Sequence, residues 1–273
     1  MRIVRYSAVG SAESGYGELV DDQIHVLRDS PFAGGDVDQR TGEVVPLENA
    51  DLLAPVGRPG KIICIGLNYR DHAEEAGLPV PTEPLVFAKH STAVVGPGAM
   101  IRVPGFVDRP DWEAELAVVI GREGASIAAV NAMDHVLGFT CFNDVSARDI
   151  QAAESQWVRA KSFDTFAPMG PWITTADAIQ DPQDLGIRCL INDEVIQDSR
   201  TSQMVFSVAE IIEFVSRQVT LLPGDVIATG TPPGVGVGMT PPRFLQDGDV
   251  VTVEIESIGQ LSNQVSRMKG IHL

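Results

Sequence analysis

The sequence predicts an α+β fold in which strands dominate. Short apolar or alternating runs of strand length outnumber the segments with helical periodicity. The helical segments do not alternate regularly with the strands, which argues against a doubly wound parallel sheet and for a mixed one. The composition, with 44% hydrophobic and 21% charged residues, is that of a globular protein with a sizeable core.

The first 57 residues are expected to form a small β-rich domain. Strands are predicted at 2–7, 17–20 and 23–27, separated by Gly, Ser and Asp. Residues 31–42 are predicted to be a loop, and the segment Pro-Val-Gly-Arg-Pro-Gly at 55–60 is typical of a linker. Residues 58–273 are therefore expected to form a second, larger domain.

The larger domain is expected to contain both strands and helices. Its strands are predicted at 61–66, 113–120, 137–142, 226–229 and 250–255, and its helices at 68–76, 128–135, 146–154 and 208–218. The last helix is the clearest, because Ser207 and Glu210 have the spacing of a capping box and an apolar stripe follows at i, i+3, i+4 and i+7. Ser146 is expected to cap the helix at 146–154.

The charge and the cysteines exclude several classes of function. Twenty Lys and Arg against 37 Asp and Glu give a net charge of −17, which is unfavourable for binding nucleic acid or an anionic membrane surface. We find no apolar run of membrane-spanning length and expect no signal peptide. The three cysteines are far apart and form no CxxC pattern, so we expect free thiols and a cytoplasmic location.

Three acidic residues in two segments predict a metal site. Glu113 and Glu115 are two apart on a predicted strand and therefore point to the same face. Such a pair is more often a set of solvated acids on an exposed edge strand, so alone it is a weak signal. Asp144 strengthens it, because it lies where an apolar strand ends and the next helix begins. Paired carboxylates repel each other when buried, and a hard divalent cation would relieve that repulsion.

Other candidate functional groups lie on a helix, near a proline and in a loop. His72 and Glu75 are i, i+3 on the helix predicted at 68–76, so the carboxylate can orient the imidazole as a general base. An ordinary surface ion pair is the alternative. Lys161 lies in a stretch of modest charge before Pro168. The Gly-rich segment 229–238 follows a strand but matches neither a P-loop nor a dinucleotide-binding motif.

These motifs, in this order, resemble the fumarylacetoacetate hydrolase family over residues 61–269. The matching segments are Gly66-Leu67-Asn68-Tyr69 with Asp71, His72 and Glu75, Asp111-Trp112-Glu113-Ala114-Glu115-Leu116, Asn143-Asp144-Val145-Ser146-Ala147-Arg148-Asp149 with Gln151, Lys161-Ser162-Phe163-Asp164, and Thr229-Gly230-Thr231-Pro232. The resemblance implies a mixed β-sandwich roll with a small β-rich N-terminal domain. It also implies a homodimer with one Mg²⁺ or Mn²⁺ per subunit, for which Ca²⁺ can substitute in crystals.

The resemblance also assigns roles to individual residues. It implies that the metal ligands are Glu113, Glu115 and Asp144, and that the catalytic residues are His72, Glu75 and Lys161. It implies a small oxo-acid substrate bound by Lys89, Arg148, Gln151, Thr229, Gly230 and Thr231. His90 follows Lys89 where many relatives have proline or serine, which leaves the direction of the Lys89 side chain open.

The expected activity is metal-dependent hydrolysis of a C–C bond in a small β-diketo acid such as an acylpyruvate or fumarylpyruvate. The metal would stabilise an enolate, and His72 with Glu75 would activate water. The alternative is an oxaloacetate decarboxylase, an isomerase or a lyase that acts on a 2-oxo or 2-hydroxy acid at the same site. A non-catalytic β module with structural Ca²⁺ would not need His72, Lys161 and Arg148. The GxSxG and HExxH motifs of serine hydrolases and zinc proteases are absent.

Overall fold

The strands make up most of the ordered elements of the computed structural model, which describes residues 1–11, 13–34 and 39–268. Within these residues the strands are β1 (Arg2–Ala8), β2 (Ser14–Val20), β3 (Gln23–Leu27), β4 (Arg40–Pro46), β5 (Ala50–Leu53), β6 (Ile62–Gly66), β7 (Leu85–Lys89), β8 (Val94–Val95), β9 (Ile101–Val103), β10 (Pro110–Asp111), β11 (Ala114–Ile120), β12 (Val136–Asn143), β13 (Ser146–Ala147), β14 (Ala167–Thr175), β15 (Gly186–Ile191), β16 (Glu194–Arg200), β17 (Val226–Ala228), β18 (Val250–Ile255) and β19 (Gly259–Arg267).

Helices are few and short in the same part of the chain. The α-helices are α1 (Arg70–Glu75), α2 (Arg148–Ala153), α3 (Val158–Lys161) and α4 (Val208–Ser216). Single 3₁₀ turns or short 3₁₀ helices lie at Leu47–Asn49, Ser91–Ala93, Ala129–His135, Ala176–Ala178, Thr201–Gln203 and Gly236–Gly238. Among the described residues, no helix has the length and apolar character needed to cross a membrane.

One large mixed sheet organises the molecule. Its strand order is β4-β3-β2-β1-β14-β12-β11-β17-β6-β7, with β5 paired to β1 and β8 to β14. The N-terminal strands join this sheet because β1 pairs antiparallel with β14, where Ile3 lies opposite Ile173. β17 and β6 run parallel and carry the continuous apolar side chains that a doubly covered strand requires.

A second sheet covers one face of the first. Its order is β16-β15-β18-β19-β9. Side chains of both sheets, such as Leu116, Phe139, Ile187 and Val253, are fully buried in one apolar cluster. Two packed sheets with few helices confirm the predicted strand-dominated α+β fold of the β-sandwich type. The boundary at residue 57 stays a prediction.

Several predicted elements differ from the structure in instructive ways. The predicted loop at 31–42 ends earlier, because β4 begins at Arg40; residues 35–38 of it lie outside the described residues. β4 pairs with β3 through its backbone but is mostly exposed, so it has no apolar pattern to find. Ser146 does not cap α2, because its hydroxyl donates to the Asp144 carbonyl oxygen and Ala147 is the cap residue. The predicted capping box of Ser207 and Glu210 is present at α4.

Candidate active site

The acidic cluster lies where β11 enters the centre of the large sheet. β11 is buried along its whole length between β12 and β17, so it is not the exposed edge strand of the alternative interpretation. Ala114 lies opposite Asn143 in the β11–β12 pair, and the Asp144 N–H donates to the Glu113 carbonyl oxygen at 2.9 Å. This register brings carboxylate oxygens of Glu113, Glu115 and Asp144 within 4.8 Å of one another.

Two lysines surround the cluster. Lys161 Nζ donates to Glu113 Oε2 at 2.7 Å and to Asp144 Oδ2 at 2.8 Å, and Lys89 Nζ contacts the other Asp144 oxygen. Burial alone would raise the pKa of Glu113, but the cations of Lys161 and Arg148 more than offset it and hold that pKa at about 2. Burial lowers the pKa of Lys89. For Lys161 burial is opposed by Asp144 and Glu113, which raise its pKa.

Glu115 differs from its two neighbours because no side-chain cation of the described residues pairs with it. Its Oε2 accepts the Gly230 N–H at 2.9 Å. Burial raises the pKa of Glu115 well above its usual value, and the carboxylates of Asp144 and Glu113 raise it further. A buried, clustered carboxylate without a counter-cation, in an all-oxygen donor set, fits a hard divalent cation such as Mg²⁺ or Mn²⁺.

The imidazole of His72 lies beside the acidic cluster and lines the same cavity. His72 Nδ1 is 3.0 Å from Glu75 Oε2 on α1, and Glu75 Oε1 accepts the Gly234 N–H at 2.8 Å. A carboxylate at Nδ1 fixes the tautomer with the proton on that nitrogen and leaves Nε2 free to accept a proton. The helix is anchored by Asn68, which is buried and whose side-chain amide donates to the Thr229 carbonyl oxygen at 2.8 Å.

The first residues of the Gly-rich segment lie beside β11 and bond to it. The hydroxyls of Thr229 and Thr231 donate to the carbonyl oxygens of Leu116 and Ala114, at 2.8 and 2.9 Å. Gly230 has a φ of +101°, and a Cβ there would lie 2.8 Å from the Cβ of Asn68, so this position requires glycine. All three residues bond to β11, but of the three only Thr231 is among the described residues that line the cavity.

Arg148 is held by several partners. Its Nε donates to Asp111 Oδ2 at 2.8 Å, its Nη1 donates to Gln151 Oε1 at 2.9 Å, and its Nη2 lies 2.7 Å from Glu113 Oε1. Asp111 also accepts the backbone N–H groups of Trp112, Gly236 and Val237 at 2.8–3.0 Å. Asp111 was not among the residues predicted for the site. Its place in the Asp-Trp-Glu-Ala-Glu segment was the available signal.

A cavity of about 520 Å³ brings most of these groups together. Of the residues predicted for the site, the ones that line it are His72, Glu75, Glu113, Glu115, Arg148, Gln151, Lys161 and Thr231. Lys89 and Asp144 lie behind this lining; the Lys89 ammonium points to the acidic cluster, where it also donates to the Val145 carbonyl oxygen at 3.1 Å. Gln197 was missed because it lies on the second sheet, yet its amide bridges Thr231 and the Ala114 N–H.

Comparison with known families agrees with the predicted resemblance. A model of the fumarylacetoacetate (FAA) hydrolase C-terminal region matches residues 61–266. The chain belongs to the fumarylacetoacetate hydrolase family. A second model, described as Rv2993c-like, N-terminal, matches residues 1–55.

Relatives within the family differ in the reactions that their names state. The chain is 52% identical over 224 residues to "oxaloacetate tautomerase fahd2, mitochondrial" of Xenopus laevis, covering 81% of this chain and 70% of that protein. It is similar to the structure of a 5-carboxymethyl-2-hydroxymuconate delta-isomerase from Mycobacterium smegmatis, with 39% identity, a TM-score of 0.88, and 98% and 100% of the two chains covered. It is also similar to the structure of a fumarylacetoacetate hydrolase from Exiguobacterium antarcticum, with 37% identity and a TM-score of 0.85. That comparison covers 98% of this chain and 100% of the other.

The family, the fold and the acidic cluster establish the protein as an enzyme of this family with residues able to hold a divalent metal. C–C bond hydrolysis, the first of the activities predicted from the sequence, stays a prediction, as do the identity of the metal and the cytoplasmic location. The names of the tautomerase and isomerase relatives partly support the alternative prediction, which was a decarboxylase, an isomerase or a lyase.

Proposed function

We propose that this enzyme interconverts the keto and enol forms of a small 2-oxo acid. It would do so by moving a proton between the 2-oxo oxygen and the neighbouring carbon, C3. The observation that carries the proposal is the position of the His72–Glu75 pair on the wall of the cavity that holds the acidic cluster. The names of the tautomerase and isomerase relatives support it, because both reactions move a proton without hydrolysis.

The residues of this chain supply the proton transfer. Because Nδ1 of His72 donates to Glu75, the free Nε2 is the base that takes the proton from C3 of the keto form and passes it to the 2-oxo oxygen, which gives the enol; the same two steps in reverse give the keto form. Glu75 stabilises the imidazolium that forms between these two steps. When bound at Glu113, Glu115 and Asp144, a divalent cation would withdraw electron density from the 2-oxo group and stabilise negative charge there.

Lys161 contributes positive charge beside the reacting group. Its ammonium is buried between Glu113 and Asp144, and the raised pKa keeps it charged at neutral pH. An ammonium has three N–H donors, of which two bond to these carboxylates, so one remains for an oxygen of the substrate. A preformed donor at the place where negative charge develops stabilises the transition state.

Hydrolysis of an acylpyruvate is the second candidate function. The same His72 can take a proton from water instead of from carbon, and the likeness to the fumarylacetoacetate hydrolase of Exiguobacterium antarcticum favours this reaction. Decarboxylation of oxaloacetate needs no activated water and would depend less on His72. The three reactions can therefore be distinguished by their products and by the effect of substituting His72.

The test follows the ultraviolet absorbance of two enols, that of the dicarboxylate oxaloacetate and that of the monocarboxylate phenylpyruvate, with purified protein and Mg²⁺, together with pyruvate release and acylpyruvate cleavage. Faster loss of either enol than in buffer, abolished by a chelator, supports the proposal. His72→Asn should lower this rate by about 10²–10⁴-fold. Glu74→Gln on the same helix is the matched control, because Glu74 is exposed and does not line the cavity. Acylpyruvate cleavage without enol turnover would favour the second candidate.

A further inference from the structure

The cavity has two chemically different parts. One part contains the acidic cluster with His72, Arg148 and Lys161. The other is an apolar wall formed by Leu67, Leu78, Leu85, Phe87, Trp157 and Val237. Only the first part is used by the proposed reaction, which concerns C1 to C3 of a 2-oxo acid. Given that proposed function, the group left to contact the apolar wall is the one that extends beyond C3.

Three residues of the apolar wall, Leu85, Phe87 and Trp157, are packed together. The rings of Phe87 and Trp157 meet edge to face with centroids 5.3 Å apart. A Cβ on Gly66 would lie 2.9 Å from both Leu85 Cδ2 and Trp157 Cζ3, so the wall already fills the space over the backbone. A preformed apolar surface binds an apolar group with little loss of side-chain entropy.

The wall offers no cation to a second carboxylate. Among the described lining residues, the basic side chains besides His72 are Arg148 and Lys161. Each of these two is bound to carboxylates of the chain itself. His72 is bound to Glu75. A carboxylate placed against the wall would therefore lose its hydration without gaining a counter-ion, which is costly.

The charges around the cluster lead to the same conclusion. Three cations (Lys89, Arg148 and Lys161) lie among five carboxylates, which are those of Glu75, Asp111, Glu113, Glu115 and Asp144. With a divalent cation bound and all five carboxylates ionised, this set would be neutral. Each carboxylate that the substrate brings then adds one negative charge, so a dicarboxylate would leave twice the net negative charge of a monocarboxylate in this partly buried site, where such charge is costly.

The size of the cavity leaves room for a larger group. Cavities of about 300–1,000 Å³ hold drug-sized ligands, which are larger than oxaloacetate with its nine heavy atoms. The cavity measures about 520 Å³. We infer that the preferred substrate is a monocarboxylic 2-oxo acid whose chain beyond C3 ends in an aryl or branched alkyl group packed on the apolar wall.

Three inert ligands with the same chelating head test this inference. Oxamate has no tail, N-phenyloxamate has an apolar tail, and N-oxalylglycine has a carboxylate tail. Calorimetric titration of the Mg²⁺-loaded protein should show N-phenyloxamate binding about tenfold tighter than oxamate, from burial of the ring. N-oxalylglycine should bind more weakly than oxamate. Equal or tighter binding of N-oxalylglycine than of N-phenyloxamate would overturn the inference and leave the proposed function standing.

Failure of the proposed function has a different signature. If oxamate itself shows no Mg²⁺-dependent binding, the 2-oxo acid head has no site, and both the function and the inference are wrong. The ligand series needs no substitution, so it does not depend on whether a variant folds.

A substitution on the wall sharpens the test. Leu85→Arg places a cation in the apolar wall and should improve N-oxalylglycine binding by about two- to fivefold, as an exposed ion pair does. It should weaken N-phenyloxamate and leave oxamate unchanged. Val86→Arg is the matched control, because Val86 is the next residue on β7, is 42% exposed against 41% for Leu85, and does not line the cavity. The same change in both variants would contradict the assignment of the wall.

Discussion

Asp111 is the residue on which the geometry of the site depends most, although it is neither a predicted metal ligand nor a predicted catalytic group. Asp111 Oδ1 accepts hydrogen bonds from the backbone N–H groups of Trp112 and Gly236. Its Oδ2 accepts hydrogen bonds from the backbone N–H of Val237 and the Nε–H of Arg148. Its side chain is inaccessible to solvent. Asp111→Asn keeps the shape but removes the charge and replaces one acceptor by an NH₂ donor.

The cost of this change follows from the partners. In either orientation of the Asn side chain, its NH₂ faces two donors that then have no acceptor. Each buried unsatisfied donor costs about 1–3 kcal/mol. Removing one partner of a buried ion pair costs about 3–5 kcal/mol, most of which is this same loss. We therefore expect Asp111→Asn to lower the free energy of unfolding by about 3–5 kcal/mol.

Urea unfolding followed by tryptophan fluorescence measures this loss. The matched control is Asp198→Asn, because Asp198 pairs with Arg188 at 3.0 Å with both side chains at least half exposed. That substitution should cost about 0–1 kcal/mol. If Asp111→Asn shifts the unfolding midpoint no more than the control does, Asp111 does not hold Arg148 and the Gly-rich segment together as we describe.

Three further predictions concern the metal, the base and the assembly. Mg²⁺ binding at neutral pH should release protons, because burial and the neighbouring carboxylates raise the pKa of Glu115; identical heats in buffers of different ionisation enthalpy would argue against this. Glu75→Gln should lower kcat about tenfold or more, since an amide accepts from only one of its two partners, His72 Nδ1 and the Gly234 N–H; an unchanged kcat would remove Glu75 from the proton transfer. The protein should sediment as a dimer of 29.2 kDa chains, and a clean monomer would contradict the predicted assembly.

The sequence predicted the parts of the fold that have a strong local pattern. The capping box and apolar stripe of α4 and the strand Val250–Ile255 are confirmed, because their own side chains specify them. β4 could not be found from its pattern, since it is an exposed strand stabilised by backbone pairing with β3. β14 was missed as well: it is buried almost throughout, and its Gly170 and Pro171 interrupt any strand pattern.

For the site, the sequence predicted the three acidic residues and the His72–Glu75 pair. It did not predict the residues that hold these groups in place. Glu113, Glu115 and Asp144 lie close to strand ends, where order along the chain indicates which faces converge. Gln197 comes from the second sheet, and its contact with Thr231 depends on how the two sheets pack, which no local motif encodes. The apolar wall of the cavity likewise joins residues of β7 with Trp157, about seventy positions later.

The most direct test of the account is whether the acidic cluster binds one divalent cation. Calorimetric titration with Mn²⁺ should give one ion per chain for the wild-type protein. Glu115→Gln should weaken binding by more than about a hundredfold, since even changes to outer partners of a metal ligand cost about 10–100-fold. The fold should survive, as circular dichroism would show, and Glu74→Gln should bind as the wild type does. Unchanged Mn²⁺ affinity and stoichiometry in Glu115→Gln would contradict the central claim.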